Sequence, residues 1–400
     1  MQDFLKKLEE TIKSHLKETY LPPHRARTPG WTHHDLVFFA KGADRVSTAF
    51  TEDRADLPKN YFNQKEFRSA YLLYFTLINA AKVWKCLEEG MGKDYGLWTM
   101  DYSAQGAREG KAPSPRSGVE GATRAPLNRP LRILDLGCGP GTASLACSAF
   151  FRDIPLEIMA VDQNIHATRD ATHLWRRMKT PIHHKFIATA LDLHPKNIEH
   201  FLKRKRFDLI IAANFLSEMS PEKQISLSTQ ILKSANTFII IEPALRKTTR
   251  ELQALRDELL ARKVARVLAP CLHQQNCPML ATNRRDWCHF YIAWKCPILI
   301  RQVDELIGNR HDYLKMAYMI FRGRTTDNGP RTTDLWRTVS SPLISKGKKE
   351  FILCGANGKL EKIFRLDRNR RPNHPFDEIK RGDVLEGKIH YESIKIQKPF

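Results

Sequence analysis

The stretch "APCLHQQNCPMLATNRRDWCHF", from Ala269 to Phe290, concentrates Cys271, Cys277 and Cys288 with His273 and His289 in a polar loop broken by prolines. Thiolate and imidazole are ligands for soft and borderline metals. Core packing requires no such density of them. Five residues separate the first pair of cysteines and ten the second, which is neither the C-x2-C pairing of zinc ribbons nor a ferredoxin-type run. The spacing implies a loop folded around a soft centre and leaves the fourth ligand open. Cys296, in "AWKCPIL", is nearest, but it follows an apolar run and suits a packed thiol equally. Cys354, in "FILCGANGKL", ends an apolar run at a Gly-containing turn, where a side chain can point across a domain boundary. His273 and His289 are the zinc-style candidates.

A second chemistry-bearing stretch is "LRILDLGCGPGTASLA". A strand to Leu136, a tight turn through Gly137, Gly139 and Gly141, and a helix from about Thr142 bring backbone N–H groups to a ligand. The order G-x-G-x-G differs from the G-x-G-x-x-G of dinucleotide sites. With Asp135 before it, the loop resembles motif I of class I S-adenosylmethionine (SAM) methyltransferases. That resemblance implies that Asp162, ending the next strand, accepts the ribose hydroxyls, and that Asp192, in "TALDLH", reads the adenine. Asn214, in "AANFLSEMSPEKQ", joins the cofactor set by its place after the fourth strand. No catalytic residue is assigned. The Pro-Pro-aromatic motif of base-nitrogen methyltransferases is missing, Cys138 and Cys147 are misplaced for a nucleophile, and Glu218 reads better as a cap or loop carboxylate than as a base.

The elements that must position these residues follow from periodicity. Residues 1–100 read as helical, from "FLKKLEETIKSHL" with Phe4, Leu5, Leu8, Ile12 and Leu16, and from "FRSAYLLYFTLINAAKVWKCLEEG". No catalytic cluster stands out there. Residues 101–130 have linker composition. Residues 131–265 alternate short apolar strands with helices, which implies a doubly wound parallel sheet. Residues 266–300 are the cysteine-rich loop, and 301–400 a basic, β-rich C-terminal region. The fold class expected is α/β, class I SAM methyltransferase-like (Rossmann-like), with a helical N-terminal region and a small β-rich C-terminal domain.

Taken together, "PCLHQQNCPM", "DWCHF" and "FILCGANGKL", downstream of "LDLGCGPGTAS", "NFLSEM" and "IIEPAL", resemble the methyltransferase-like small-ribosomal-subunit family, the Rsm type, across about 65–390. The resemblance implies a [4Fe–4S] cluster on Cys271, Cys277, Cys288 and Cys354, and association with small-subunit rRNA during ribosome assembly. It leaves methyl transfer open. This chain departs from the pattern in its 101–130 insert, in the ten-residue spacing before Cys288, and in Ala244 where a glycine is expected.

The charge balance points the same way. Lys and Arg number 65 against 44 Asp and Glu, a net charge of +21 and a pI near 9.7. Such a surplus suits a polyanion, and RNA rather than DNA is expected. Lys203–Arg206 is one basic run. Arg365, Arg368, Arg370 and Arg371, with Lys346, Lys348 and Lys349 before them and Phe364, His374 and Phe376 among them, are the candidate RNA contacts. No apolar run reaches membrane-spanning length. Eight cysteines outside any paired pattern suit a reducing compartment. Acidic residues near the N-terminus favour a bacterial cytoplasm, with the mitochondrial matrix as the alternative. The expected function is that of a small-subunit assembly or translation factor. Its rivals are an active SAM-dependent rRNA methyltransferase and a zinc-dependent nucleic-acid-binding module.

Overall fold

A computed structural model describes residues 1–51, 61–91, 129–282, 284–323, 334–369 and 375–387. The helical periodicity of the N-terminal region becomes α1 (Gln2–Tyr20), α2 (Pro23–Ala26), α3 (His33–Thr51), α4 (Lys65–Ala70) and α5 (Thr76–Met91). A single π turn, Tyr71–Phe75, joins the last two. On α1 the apolar stripe Leu5, Leu8, Ile12 and Leu16 is buried, as the spacing requires. The same face carries His15, whose Nε2 lies 2.9 Å from the Asp170 carboxylate, to which Tyr20 donates at 2.6 Å. This buried polar pair fixes the helical layer on the body of the molecule.

Five apolar runs form parallel strands: β1 (Leu131–Leu136), β2 (Leu156–Asp162), β3 (His184–Ala190), β4 (Phe207–Ala213) and β5 (Ala235–Glu242). The crossovers are α6 (Thr142–Phe150), α7 (Ile165–Arg177), α8 (Pro195–Leu202) and α9 (Pro221–Ser234). After β5 come α10 (Arg246–Ala261), β6 (Ala265–Ala269), α11 (Pro278–Thr282), β7 (Phe290–Ala293), α12 (Ile298–Ile307) and β8 (Tyr313–Gly323). The sheet order is β3-β2-β1-β4-β5-β8-β6, with β8 antiparallel to both neighbours and β7 pairing its start. Alternate residues of the central strands feed two cores. Ile133, Ile211 and Ile239 face the layer that holds α1 and α5, whereas Leu134, Ile210 and Ile240 face the side of α8–α10.

β8 lies within 301–400, the range expected to form the C-terminal region, yet it belongs to the main sheet. From Met316 onward its run "YLKMAYMIFRG" is buried on both faces, whereas Tyr313 and Lys315 at its start are exposed. The separate antiparallel sheet begins at β9 (Leu335–Thr338) and adds β10 (Leu343–Ser345), β11 (Lys348–Gly355), β12 (Leu360–Leu366) and β13 (Val384–Glu386). Trp336, Phe351, Leu353, Ile363 and Phe376 form its core. The linker expected at 101–130, apart from its last two residues, lies outside the described residues, as do Arg370, Arg371 and His374. No helix among the described residues is long and apolar enough to cross a membrane.

Candidate cofactor crevice and cysteine site

Strand order reverses at β1, between its neighbours β2 and β4, and in open α/β sheets a ligand crevice forms outside the strand ends at such a point. The glycine loop sits there. Gly137, Gly139 and Gly141 have φ of 70°, 52° and 78°, a region that disfavours side chains. A Cβ on Gly137 would meet the Phe215 ring at 2.7 Å, whereas one on Gly139 would enter open space. The loop therefore leaves room above Gly139 while Phe215 closes it from below.

Two carboxylates hold the loop. Asp162 accepts from Gly139 N and Asn164 N, both at 2.8 Å, and burial pushes its carboxyl up despite those bonds. Asp135 accepts from Ser144 N at 2.9 Å and Ser144 Oγ at 2.7 Å, which ties β1 to the start of α6. Burial raises it to about 6, against the lowering effect of the Ser144 bonds. Asn214 has φ 57° and donates its N–H to Ile241 O at 2.7 Å. Glu242 Oε1 then takes Leu216 N and Ser217 N, fixing the "NFLSEM" turn. Asp192 is exposed. Its oxygens accept from His194 N at 3.1 Å and Asn197 Nδ2 at 2.8 Å, so in this structure it organises the entry to α8. The donor set, the open space over Gly139 and a helix N-terminus facing it fit SAM. Burial raises the Cys138 and Cys147 thiols well above their ordinary range, which removes both as thiolate nucleophiles near neutral pH.

The cysteine loop lies on α10. Arg256, fully buried, donates to His273 O at 2.8 Å, to Gln275 O and to Asp257 at 2.5 Å. Asp257 in turn receives Cys277 N at 3.0 and 2.9 Å. From the small sheet, Cys354 at the end of β11 reaches His273 Nε2 at 3.5 Å. Cys277, Cys288 and Cys354 share one apolar cluster with Met279 and Val339. Burial first, then the neighbouring thiols Cys271, Cys277 and Cys354, push Cys288 well above its ordinary value. Burial and the Cys271 thiol take Cys277 to about 11. Cys277 and Cys288 of the loop thus meet Cys354 of the small sheet in one cluster, with Cys271 near enough to raise the first two. Cys296 is not among them: it sits against the main core, next to Pro297, and senses Asp304. Among the described residues, no group of three or more His, Cys, Asp or Glu side chains is arranged as a metal-ion site. His289 packs on Trp287 at 5.4 Å between ring centroids, and Trp287 Nε1 binds Ala244 O at 2.9 Å, linking this loop to the end of β5.

The basic tail needs one correction. Arg365, expected on an RNA-binding face, is buried and forms a two-pronged bond to Asp377 at 2.5 and 2.9 Å, stacked over Phe376. The pairing consumes its charge within the small domain. Arg368 is exposed, as are Lys346 and the ring of Phe364.

Sequence reasoning placed nothing in the helical layer, yet a cleft of 690 Å³ opens there against the ends of β4 and β5. Tyr71, Phe75, Lys82, Asn214, His311 and Lys315 are among its walls. The signal was the placement of Tyr71, Tyr74, Phe75 and Lys82 at helical spacing, which on composition alone reads as core.

A sheet of this order, with one antiparallel strand inserted beside β5 and a glycine loop after β1, defines the class I SAM-methyltransferase fold. The chain belongs to the family described as mitochondrial small ribosomal subunit Rsm22, whose model matches residues 116–374, more than half of its length. Similar solved structures include the magnesium protoporphyrin IX methyltransferase of Synechocystis PCC 6803, at 10% identity and TM-score 0.33, covering 71% of this chain and 97% of that one. The plantazolicin methyltransferase BpumL is 13% identical with TM-score 0.29, covering 81% and 99%. TehB from Haemophilus influenzae is 14% identical with TM-score 0.29, covering 49% and 59%. No curated protein sequence matches the chain. Of the two compartments weighed from the sequence, the family description speaks for the mitochondrial one.

Proposed function

We propose that this protein is a mitochondrial small-ribosomal-subunit factor that binds rRNA, uses the methyltransferase fold as a SAM-binding scaffold, and carries a [4Fe–4S] cluster. The observation that carries this is the family match, because residues 116–374 span the glycine loop, the cysteine loop and Cys354 alike. In this reading Gly137, Gly139 and Gly141 cradle the cofactor, Asp135 keeps the loop in register, Asp162 takes the ribose, and Asp192 and Asn214 flank the adenine and methionine ends. Cys271, Cys277, Cys288 and Cys354 are the cluster ligands. Thiolates suit iron–sulfur clusters, and a multivalent cation between converging cysteines stabilises their thiolate forms, which would otherwise repel one another. The cluster would pin the small β-domain to the methyltransferase-fold body by closing a long loop. Exposed cations such as Arg368 and Lys346 supply phosphate contacts, with Arg370 and Arg371, outside the described residues, as further contacts of this reading.

Methyl transfer to rRNA is the second reading, favoured by the cleft that opens beside Asn214. Bound SAM would supply an electrophilic methyl group, and the chain's part would be to present an acceptor at the carboxyl end of β4. Sucrose-gradient sedimentation of mitochondrial lysate tests the main reading: the protein should travel with small subunits or their precursors. Migration only as free protein overturns it. Incubating isolated small subunits with methyl-labelled SAM tests the second, since label must appear in RNA.

A further inference from the structure

The cleft between the π turn, α5 and the ends of β4 and β5 has a chemistry of its own. Its lining excludes the glycine loop and Asp162 and shares Asn214 with the cofactor set, so it adjoins the cofactor crevice. The π turn carries one extra residue and sets Tyr71 and Phe75 on the wall, with Lys82 two turns further along. Tyr313 faces them from the start of β8. Flat aromatic walls select a flat aromatic ligand.

The charges select an anion. Arg310 is neutralised by Asp312 at 2.8 Å, which leaves Lys82 and Lys315 as the cleft's uncompensated cations among the described residues. Lys82 is half-buried and has no hydrogen bond or ion pair among the described residues. Burial lowers its pKa to about 8, only partly offset by the nearby Cys86 thiol. An ammonium sunk into a wall without a counterion costs stability unless a ligand supplies the anion. Lys315 lies 5.8 Å over both Tyr291 and Tyr313, already matched to ring faces.

A third feature offers edge recognition. His311 Nδ1 is held by both oxygens of Asp304, at 2.9 and 3.1 Å, and Tyr74 donates to the same carboxylate. This fixes the imidazole and leaves Nε2 without a partner among the described residues, on a ring that lines the cleft. Asn214 lines the same space. An acidic peptide would not use the aromatic walls, and an apolar ligand would leave Lys82 uncompensated.

We propose that this cleft is a nucleotide-binding site, in which the base lies against Tyr71 and Phe75, its polar edge meets His311, and the phosphate meets Lys82. The inference rests on the RNA-associated reading for one of two sources, a nucleotide unstacked from an RNA strand. The other source is a free mononucleotide.

The test uses the full-length protein and two probes: adenosine and uridine 5′-monophosphates followed by calorimetry, and a short fluorescein-labelled single-stranded oligoribonucleotide followed by anisotropy. Lys82→Met should weaken both by about tenfold, the scale of one charge-assisted contact. It should also make the strand's salt slope shallower by about 0.7, the share of one phosphate contact. Tyr71→Leu should weaken both probes without changing the slope. Because Lys82→Met removes an unpaired charge, its melting temperature should not fall, which separates lost binding from lost fold. Arg368→Glu, on the small domain, should weaken the strand alone.

If both cleft variants bind both probes like wild type, the cleft inference is overturned while the RNA-associated reading stands. Lys82-dependent binding of the mononucleotide without any strand binding supports the cleft as a free-nucleotide site and overturns the RNA-associated reading. Failure of both probes to bind overturns the cleft inference.

Discussion

Arg256 is the residue whose removal most directly tests how the cysteine loop is held. It is fully buried on α10, and its guanidinium donates to the carbonyls of His273 and Gln275 and to Asp257, which itself receives the Cys277 amide. Arg256→Met keeps the bulk of the side chain and deletes these donors. Each hydrogen bond to a charged group contributes about 1.5–3 kcal/mol. The substitution also strands the buried His273 carbonyl and removes the cation beside Asp257, which keeps the Cys277 amide. Loop relaxation and water entry limit the loss, so the cost of breaking a buried pair, about 3–5 kcal/mol, is the relevant scale. The loss should appear locally as easier opening of residues 271–277, since loops open in smaller units than the whole fold. At about 1.4 kcal/mol per tenfold, 3 kcal/mol corresponds to roughly a hundredfold faster amide exchange. Hydrogen exchange read by mass spectrometry on peptides covering the cysteine loop measures this, with β4 as an internal reference. Exchange within threefold of wild type in the loop would falsify the claim that this guanidinium is its anchor. Equal acceleration in β4 would contradict its local character.

Gly137→Ala should reduce affinity for S-adenosylhomocysteine, measured by calorimetry, at least ~10-fold more than Gly139→Ala does, because only the former brings a Cβ to 2.7 Å from Phe215 while both share a positive φ. Equal losses would mean that Phe215 yields freely. Asp135 is raised from 3.8 to about 6, so its contribution to stability is fully present below about pH 4 and is lost as pH rises through about 6. Asp135→Asn should therefore raise stability near pH 7.5 by about 2–3 kcal/mol and flatten the melting-temperature profile between pH 4 and 6; a lower melting temperature at pH 7.5 counts against a buried, costly charge. Reversing both Lys346 and Arg368 to Glu should make the salt slope of RNA binding shallower by about 1.4, and an unchanged slope would clear that face of phosphate contact.

The parallel strands were legible because each is a short apolar run closed by a polar residue, and the loop after β1 because glycine is what its positive φ values demand. The density of Cys271, Cys277 and Cys288 was visible for the same local reason. The approach of Cys354 was not: 81 positions separate it from His273, and only the family resemblance named it. β8 escaped because its insertion beside β5 is decided by tertiary pairing, not by its own sequence. Arg365 looked like a surface cation until Asp377, twelve residues on, turned it inward. The cleft was hidden for a different reason. A tyrosine stripe on a helix reads as core, and its meeting with His311 and Lys315 depends on packing between distant elements.

The central claim is that three thiols of the loop on α10 and one from β11 hold one iron–sulfur cluster. Iron and acid-labile sulfide per chain, measured after oxygen-free purification of wild type, Cys288→Ser, Cys354→Ser and Cys296→Ser, test it most directly. About four of each should be found in wild type and in Cys296→Ser, with Cys354→Ser depleted as strongly as Cys288→Ser. A colourless wild-type protein containing zinc, or depletion confined to Cys296→Ser, would contradict it.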